Sequence, residues 1–277
     1  IWLKQDAGLV LDEDEKVITW TDQSNNYNFA RRAGENNDYQ GAGVSEAQRP
    51  TTSSHQGATV ITFSNVNHTF LAATYRSKFD LSSSDGMCFV AVMKINRGTA
   101  DGPVGDLDFN GANYTRCPIL NVGRSYQVDI LHSSTGSQYE NAMAFQNGNN
   151  LKTVDDVFLS TTYRIVLYNV ASVGGYTDET GFYVNGSKVS TLTAVPTNLD
   201  ISISPHMRIG RDPDLNYSNQ VQQYNFAFGS MNVKEILLFG IPLHDAEREK
   251  VEGYLAHKYD MTSVLPSSHT YKTTGPT

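Results

Sequence analysis

Along most of this chain, apolar residues recur at every second position or in short unbroken runs, and turn residues separate the runs. "VITWTDQSNN" predicts a strand from Val17 to Trp20 and then a polar turn, in which Asp22, Ser24 and Asn25 can bond their own backbone. "ATVITFSN" alternates, with Val60 and Thr62 on one face and Ile61 and Phe63 on the other. "GMCFVAVMKI" is apolar on both faces up to Lys94, which predicts a central strand covered on two sides. "TTYRIVLYNV" is a second central candidate, and "CPILNVG", "YQVDILHS", "HMRIGRD" and "FAFGSMNVKEILLFG" add further strands. "GFYVNGSKVS" predicts a hairpin, because Asn185-Gly186 can take the positive φ values of a type I′ turn. About ten to fourteen short strands result, with no repeat of fixed period, the pattern of an all-β, two-sheet antiparallel jelly-roll sandwich.

The period changes once. In "HDAEREKVEGYLAHKY", Val251, Tyr254, Leu255 and Tyr259 fall on one helical face. Asp245, Glu247 and Glu249 lie in the first turns and Lys258 in the last, which suits the helix dipole, and His244 or Asp245 can act as N-cap. One C-terminal helix is therefore expected, packed on the sandwich at an edge or open end. No Pro/Gly/Ser-rich linker divides the chain, so 1–272 is read as a single domain and 273–277 as a tail. The chain opens at Ile1 without Met, as a processed form or a piece of a longer polypeptide would.

Composition narrows the partners. Charged residues make up 18% of the chain, below the roughly 25% of typical globular chains. A net charge of -8 with scattered basic residues argues against nucleic acid. No apolar run approaches the ~20 residues needed to cross a bilayer, so no membrane insertion is expected. Cys88 sits in a strongly apolar strand and reads first as a buried free thiol; a disulfide to Cys117 is the alternative. Sequons at Asn67, Asn113, Asn185 and Asn216 are what an Asn-rich chain produces by chance.

The candidate chemistry lies in loops. "DLDFNG" places Asp106, Asp108 and Asn110 at alternate positions before Gly111, the first half of an EF-hand-like calcium loop. The twelfth position is Cys117 rather than Glu, so half of the pattern fails. A sugar site needs Asp and Asn for hydroxyl groups and a ring to stack on a C–H face. Asp108, Asn110, Asn113 and Tyr114 offer this in one loop, and Asp212, Asp214, Asn216 and Tyr217 in another. The same residue types also line wet protein–protein interfaces. A glycosidase needs two carboxylates facing the sugar; "LDEDEKV" and Asp155-Asp156 read as solvated turns instead. No nucleophile elbow, zinc helix or phosphate loop occurs, so no enzyme is expected.

From Val233 to Lys272 the chain resembles the C-terminal end of concanavalin A-like, laminin-G-like jelly-roll domains. The resemblance rests on Glu235, Leu237, Phe239, Leu243, Glu247, Arg248, Val251, Glu252, Gly253, Tyr254, Leu255, Ala256, Lys258 and Tyr259, then on Leu265, Pro266, His269 and Tyr271. It departs at His244, where Ser or Thr is usual, and at Thr270, where Pro is usual. "LKQDAGLV…VITWTDQSNN" is similar to the family's opening. The resemblance implies that the helix is a closing element and its motif structural, and that a calcium ion at one rim is in keeping with the family. It further implies a non-catalytic recognition or adhesion module on a virion or cell surface, binding glycan or a surface partner. The alternative is a structural subunit of a fibre, appendage or capsid decoration that contacts copies of itself or other subunits. A glycoside hydrolase is the third reading.

Overall fold

The computed structural model describes residues 1–24, 28–30, 49–64, 69–74, 86–96, 114–122, 126–133, 142–147, 150–154, 162–171, 180–191, 206–210 and 230–277. In chain order the strands are β1 (Trp2–Lys4), β2 (Leu9–Leu11), β3 (Val17–Thr21), β4 (Asn28–Ala30), β5 (Thr51–His55) and β6 (Ala58–Phe63). They continue with β7 (Leu71–Thr74), β8 (Gly86–Ile95), β9 (Tyr114–Val122), β10 (Tyr126–Ser133), β11 (Ala142–Asn147) and β12 (Asn150–Val154). The last are β13 (Arg164–Ala171), β14 (Gly181–Val184), β15 (Ser187–Thr191), β16 (His206–Ile209) and β17 (Met231–Phe239), followed by helix α1 (Asp245–Lys258) and a 3-10 turn over Thr262–Val264.

Two antiparallel sheets result. One runs β15-β14-β13-β8-β17-β6-β5, with β1 also on β17; the other runs β12-β11-β10-β9-β16-β7-β4-β3-β2. The sheets face each other across one apolar core. Phe63, Phe89, Met93, Tyr168, Phe182 and Ile236 line it from the first sheet, and Trp20, Phe29, Leu71, Ile119, Met207 and Ile209 from the second. Alternation does what the sequence predicts in β6: Ile61 and Phe63 enter this core while Val60 faces the other way. β8 is buried on both faces through Met93 and lies between β13 and β17, the expected central position. The β14–β15 hairpin turns at Asn185 (φ 52°) and Gly186 (φ 81°), both in the left-handed region that a type I′ turn requires.

The helix corrects one expectation. It covers a face of the first sheet rather than an edge or end, making a third layer. Val90, Val92, Ile165, Leu167 and Tyr183 of that face pack with Leu243, Leu255, Ala256 and Tyr259. Asn169 of β13 fixes the approach: its amide bonds both the N–H and the C=O of Leu243, at 2.9 and 2.7 Å. The Glu247 carboxylate accepts the N–H of His244 at 3.0 Å and so caps the helix start. The buried side of the helix is also more polar than the predicted apolar stripe. Arg248 and Glu252 are buried with Leu255 and Ala256, whereas Val251 and Tyr254 are half-buried.

Cys88 is a free thiol beneath this layer. Burial, with the Glu252 carboxylate nearby, pushes it well above its ordinary pKa, so it stays protonated. The "LDEDEKV" charge run is a turn: Asp12 accepts the N–H groups of Asp14 and Lys16 and pairs with Arg49 at 2.7 Å.

Candidate functional site

The two candidate ligand loops share an anchoring point on the first sheet. Loop 97–113 leaves the first sheet after Ile95 of β8, and loop 211–229 re-enters that sheet at Met231 of β17. Ile95 and Met231 are cross-strand partners, and Asn96 N–H donates to the Ser230 carbonyl at 3.0 Å. On the second sheet the loops join the neighbouring strands β9 and β16 at different heights: one reaches β9 at Tyr114, the other leaves β16 near Ile209, opposite Leu120. Both loops are thus rooted at one place on the first sheet. Asp106, Asp108, Asn110, Asn113, Asp212, Asp214, Asn216 and Tyr217 lie outside the described residues. Tyr114 is the first residue of β9, opposite Ser133 of β10.

Beside these roots the described residues hold a basic and aromatic patch that the sequence reading did not single out. Its origin is a β-bulge. Val233 pairs with Met93 and Glu235 with Val92, so Lys234 is an extra residue in β17. Val233 and Ile236 both enter the inter-sheet core, while Lys234 and Glu235 both contact the helix-covered side, a re-aiming that a bulge permits. The Lys234 ammonium, in a residue only 1% exposed, lies 4.5 Å from the Tyr163 ring centre and 5.1 Å from that of Tyr259. Lys94 lies 5.5 Å from the centre of the same Tyr163 ring, and the His55 ring meets it at a tilt of 51° with centroids 4.5 Å apart. Burial lowers the Lys234 pKa. Burial and then the charges of Lys234 and Lys94 lower that of His55.

Other charged clusters on this face hold paired acids, although Glu252 Oε1 and His269 Nε2 are buried without a hydrogen bond. Glu235, fully buried, accepts from Trp2 Nε1 at 2.6 Å, Lys258 Nζ at 2.7 Å and the Tyr259 hydroxyl at 2.6 Å. It ties β1, β17 and the end of α1 into one unit. Arg248 bonds Glu252 at 2.5 Å and Asp245 at 3.0 Å, and its guanidinium stacks 4.2 Å from the Tyr183 ring centre. His269 Nε2 stands 3.4 Å from Glu252, and both side chains are 1% exposed. A Cβ on Gly253 would meet Tyr271 Cβ at 2.4 Å. The "ER…VEGYLA…H…Y" motif is therefore accounted for by packing, as the resemblance implied. Among the described residues no group of three or more His, Cys, Asp or Glu side chains is placed to hold a metal ion, and no helix is long and apolar enough to cross a membrane.

No protein-family model matches the chain, and no characterised protein sequence matches it. Solved structures with similar backbones are large β proteins. A Trypanosoma rangeli sialidase in complex with a difluoro-KDN compound aligns at 12% identity and TM-score 0.49, over 93% of this chain and 32% of that one. The binding domain of botulinum neurotoxin serotype D/C aligns at 12% and 0.46, over 92% of this chain and 51% of that one. A structure of botulinum neurotoxin type C, whose cell entry depends on interaction with two ganglioside molecules, aligns at 13% and 0.42, over 75% and 42%. The chain thus spans a third to a half of the length of these structures. The all-β sandwich architecture stands on the strand pairing itself.

Proposed function

We propose that this chain is a non-catalytic recognition module of the laminin-G-like, concanavalin A-like type, which binds a glycan with the end of the sandwich where loops 97–113 and 211–229 are rooted. The observation that carries this reading is the shared root: Ile95 opposite Met231, and β9 beside β16. Two separate sequence segments that carry acids and amides, one bordered by Tyr114 and the other holding Tyr217, meet the first sheet at the same place. A rigid sandwich that presents adjacent long loops is a common way to build a binding site. The buried acids Glu235 and Glu252 are held by structural partners, which supports binding over hydrolysis. The module belongs on a virion or cell surface, and Asp106, Asp108 and Asn110 would hold calcium at its rim.

A glycan array probed with the purified protein, with calcium and again with chelator, tests this. The expected result is binding to a defined glycan class that falls on substitution in either loop. Loss with chelator assigns calcium to Asp106, Asp108 and Asn110; unchanged binding removes calcium and keeps the module. A folded protein that binds no glycan in either condition would overturn the reading in favour of a structural subunit.

A further inference from the structure

We propose that Lys94, Lys234, His55 and Tyr163 form a binding site for a single oxyanion, the carboxylate or sulfate group of an acidic glycan. The proposal rests on the recognition reading above and assigns its ligand class. Its ground is a local imbalance of charge and of hydrogen bonds. Lys234 and Lys94 converge on one tyrosine ring, and neither ammonium has an oxygen acceptor among the described residues. The nearest buried acid, Glu235, already accepts from Trp2, Lys258 and Tyr259. Aromatic faces attract a cation but accept no conventional hydrogen bond.

The neutral groups share the deficit. The Tyr163 hydroxyl and His55 Nδ1 are both buried; the first approaches the Asn232 side chain and the second its own backbone, and neither contact closes a hydrogen bond of good geometry. The Asn232 side chain that Tyr163 approaches also accepts, through its oxygen, from Asn96 Nδ2 at 2.5 Å. Buried polar atoms of this kind are rare in folded proteins and call for a partner. Two ammonium groups, an imidazole and a phenol around one ring offer donors on several sides, and an oxyanion supplies the missing acceptors. Placement links the patch to recognition. Lys94 is the residue before Ile95, and its cross-strand partner is Asn232, so the donors stand at the roots of both ligand loops.

The test is an NMR titration of the intact protein, following the His55 and Tyr163 rings. The probes are inorganic sulfate, a sulfated oligosaccharide, a uronic acid oligosaccharide and a neutral oligosaccharide of equal length. Saturable shifts with sulfate and with both acidic sugars are expected, together with an upward shift of the His55 pKa in the bound state. Lys94→Gln, at a half-buried position, should weaken binding by about tenfold, the usual worth of a charge-assisted bond; Lys234→Met serves as a second variant. Equal affinity for neutral and acidic sugars with unmoved rings would overturn the oxyanion site and leave the recognition reading standing. Saturable sulfate binding without binding of any sugar would keep the oxyanion site and overturn its assignment to a glycan. No saturation by any probe would overturn the site itself.

Discussion

The helix-covered face carries charge in two ways. Around Glu235 and around Arg248–Glu252, buried charges meet opposite charges at 2.5–2.7 Å. Around Lys234, the residue next to Glu235 in β17, cations meet only rings among the described residues. Both regions are buried under the same C-terminal layer, so burial alone does not separate them. Pairing does. A matched buried charge holds elements together, whereas an unmatched one raises local potential and leaves donors for a ligand. The largest predicted effect follows. Glu235→Leu removes the acceptor shared by Trp2, Lys258 and Tyr259, and should cost about 3–5 kcal/mol, as for other broken buried pairs. Urea unfolding measures it, and a loss below about 1 kcal/mol would place Glu235 with the weak surface pairs.

Packing at the far end of the same layer gives a smaller effect. Gly253→Ala places a methyl group against Tyr271, where an added Cβ has 2.4 Å of room. Overpacking of this kind costs about 1–3 kcal/mol, offset in part by the roughly 1 kcal/mol that alanine gains over glycine in a helix. The double variant with Tyr271→Ala should recover the overpacking part, and a double-mutant cycle reads that coupling. Lys234→Met sharpens the contrast with Glu235. It exchanges an unmatched ammonium for an apolar chain of similar length, so stability should stay within about 1 kcal/mol or rise, while sulfate binding falls. A destabilisation as large as that of Glu235→Leu would make Lys234 a structural residue.

The strands that a sequence reveals best are those whose burial is simplest. β8 and β13 are apolar throughout, and the β14–β15 turn is written in Asn185-Gly186. β5 reads "TTSSH" and is an edge strand, held by pairing with β6 rather than by apolar side chains, so no alternation marks it. β11 and β12 form a hairpin that "QNGNN" could have signalled, since Gly148-Asn149, between the paired Asn147 and Asn150, is a favoured two-residue loop dipeptide. The helix was legible in type and place, but its buried stripe was not, because Arg248 and Glu252 pair with each other there. The loop chemistry was read from residue types, and its convergence on one end required the Ile95↔Met231 register. The basic patch was not legible at all. Lys94, Lys234, His55 and Tyr163 are far apart in sequence, and only the bulge at Lys234 turns its side chain to the others.

The smallest effect is on acid stability. In the folded protein, burial and the ammonium groups of Lys234 and Lys94 keep His55 below its ordinary pKa, with the Tyr163 ring tilted against it. In the unfolded chain His55 takes up its proton near pH 6.5. Below that value the unfolded state therefore binds more protons than the folded state, and stability falls as the pH falls. The contribution of His55 is complete above about pH 6.5 and is lost on acidification. His55→Gln removes this term, so its urea midpoint should drop less between pH 7.5 and pH 5 than that of the parent protein. Sulfate should act in the same direction on the parent. An oxyanion between the lysines offsets their charge, raises the His55 pKa and flattens the slope. If the patch carries no anion, sulfate leaves the difference between parent and His55→Gln unchanged, and the two regions of this face then differ in geometry but not in use.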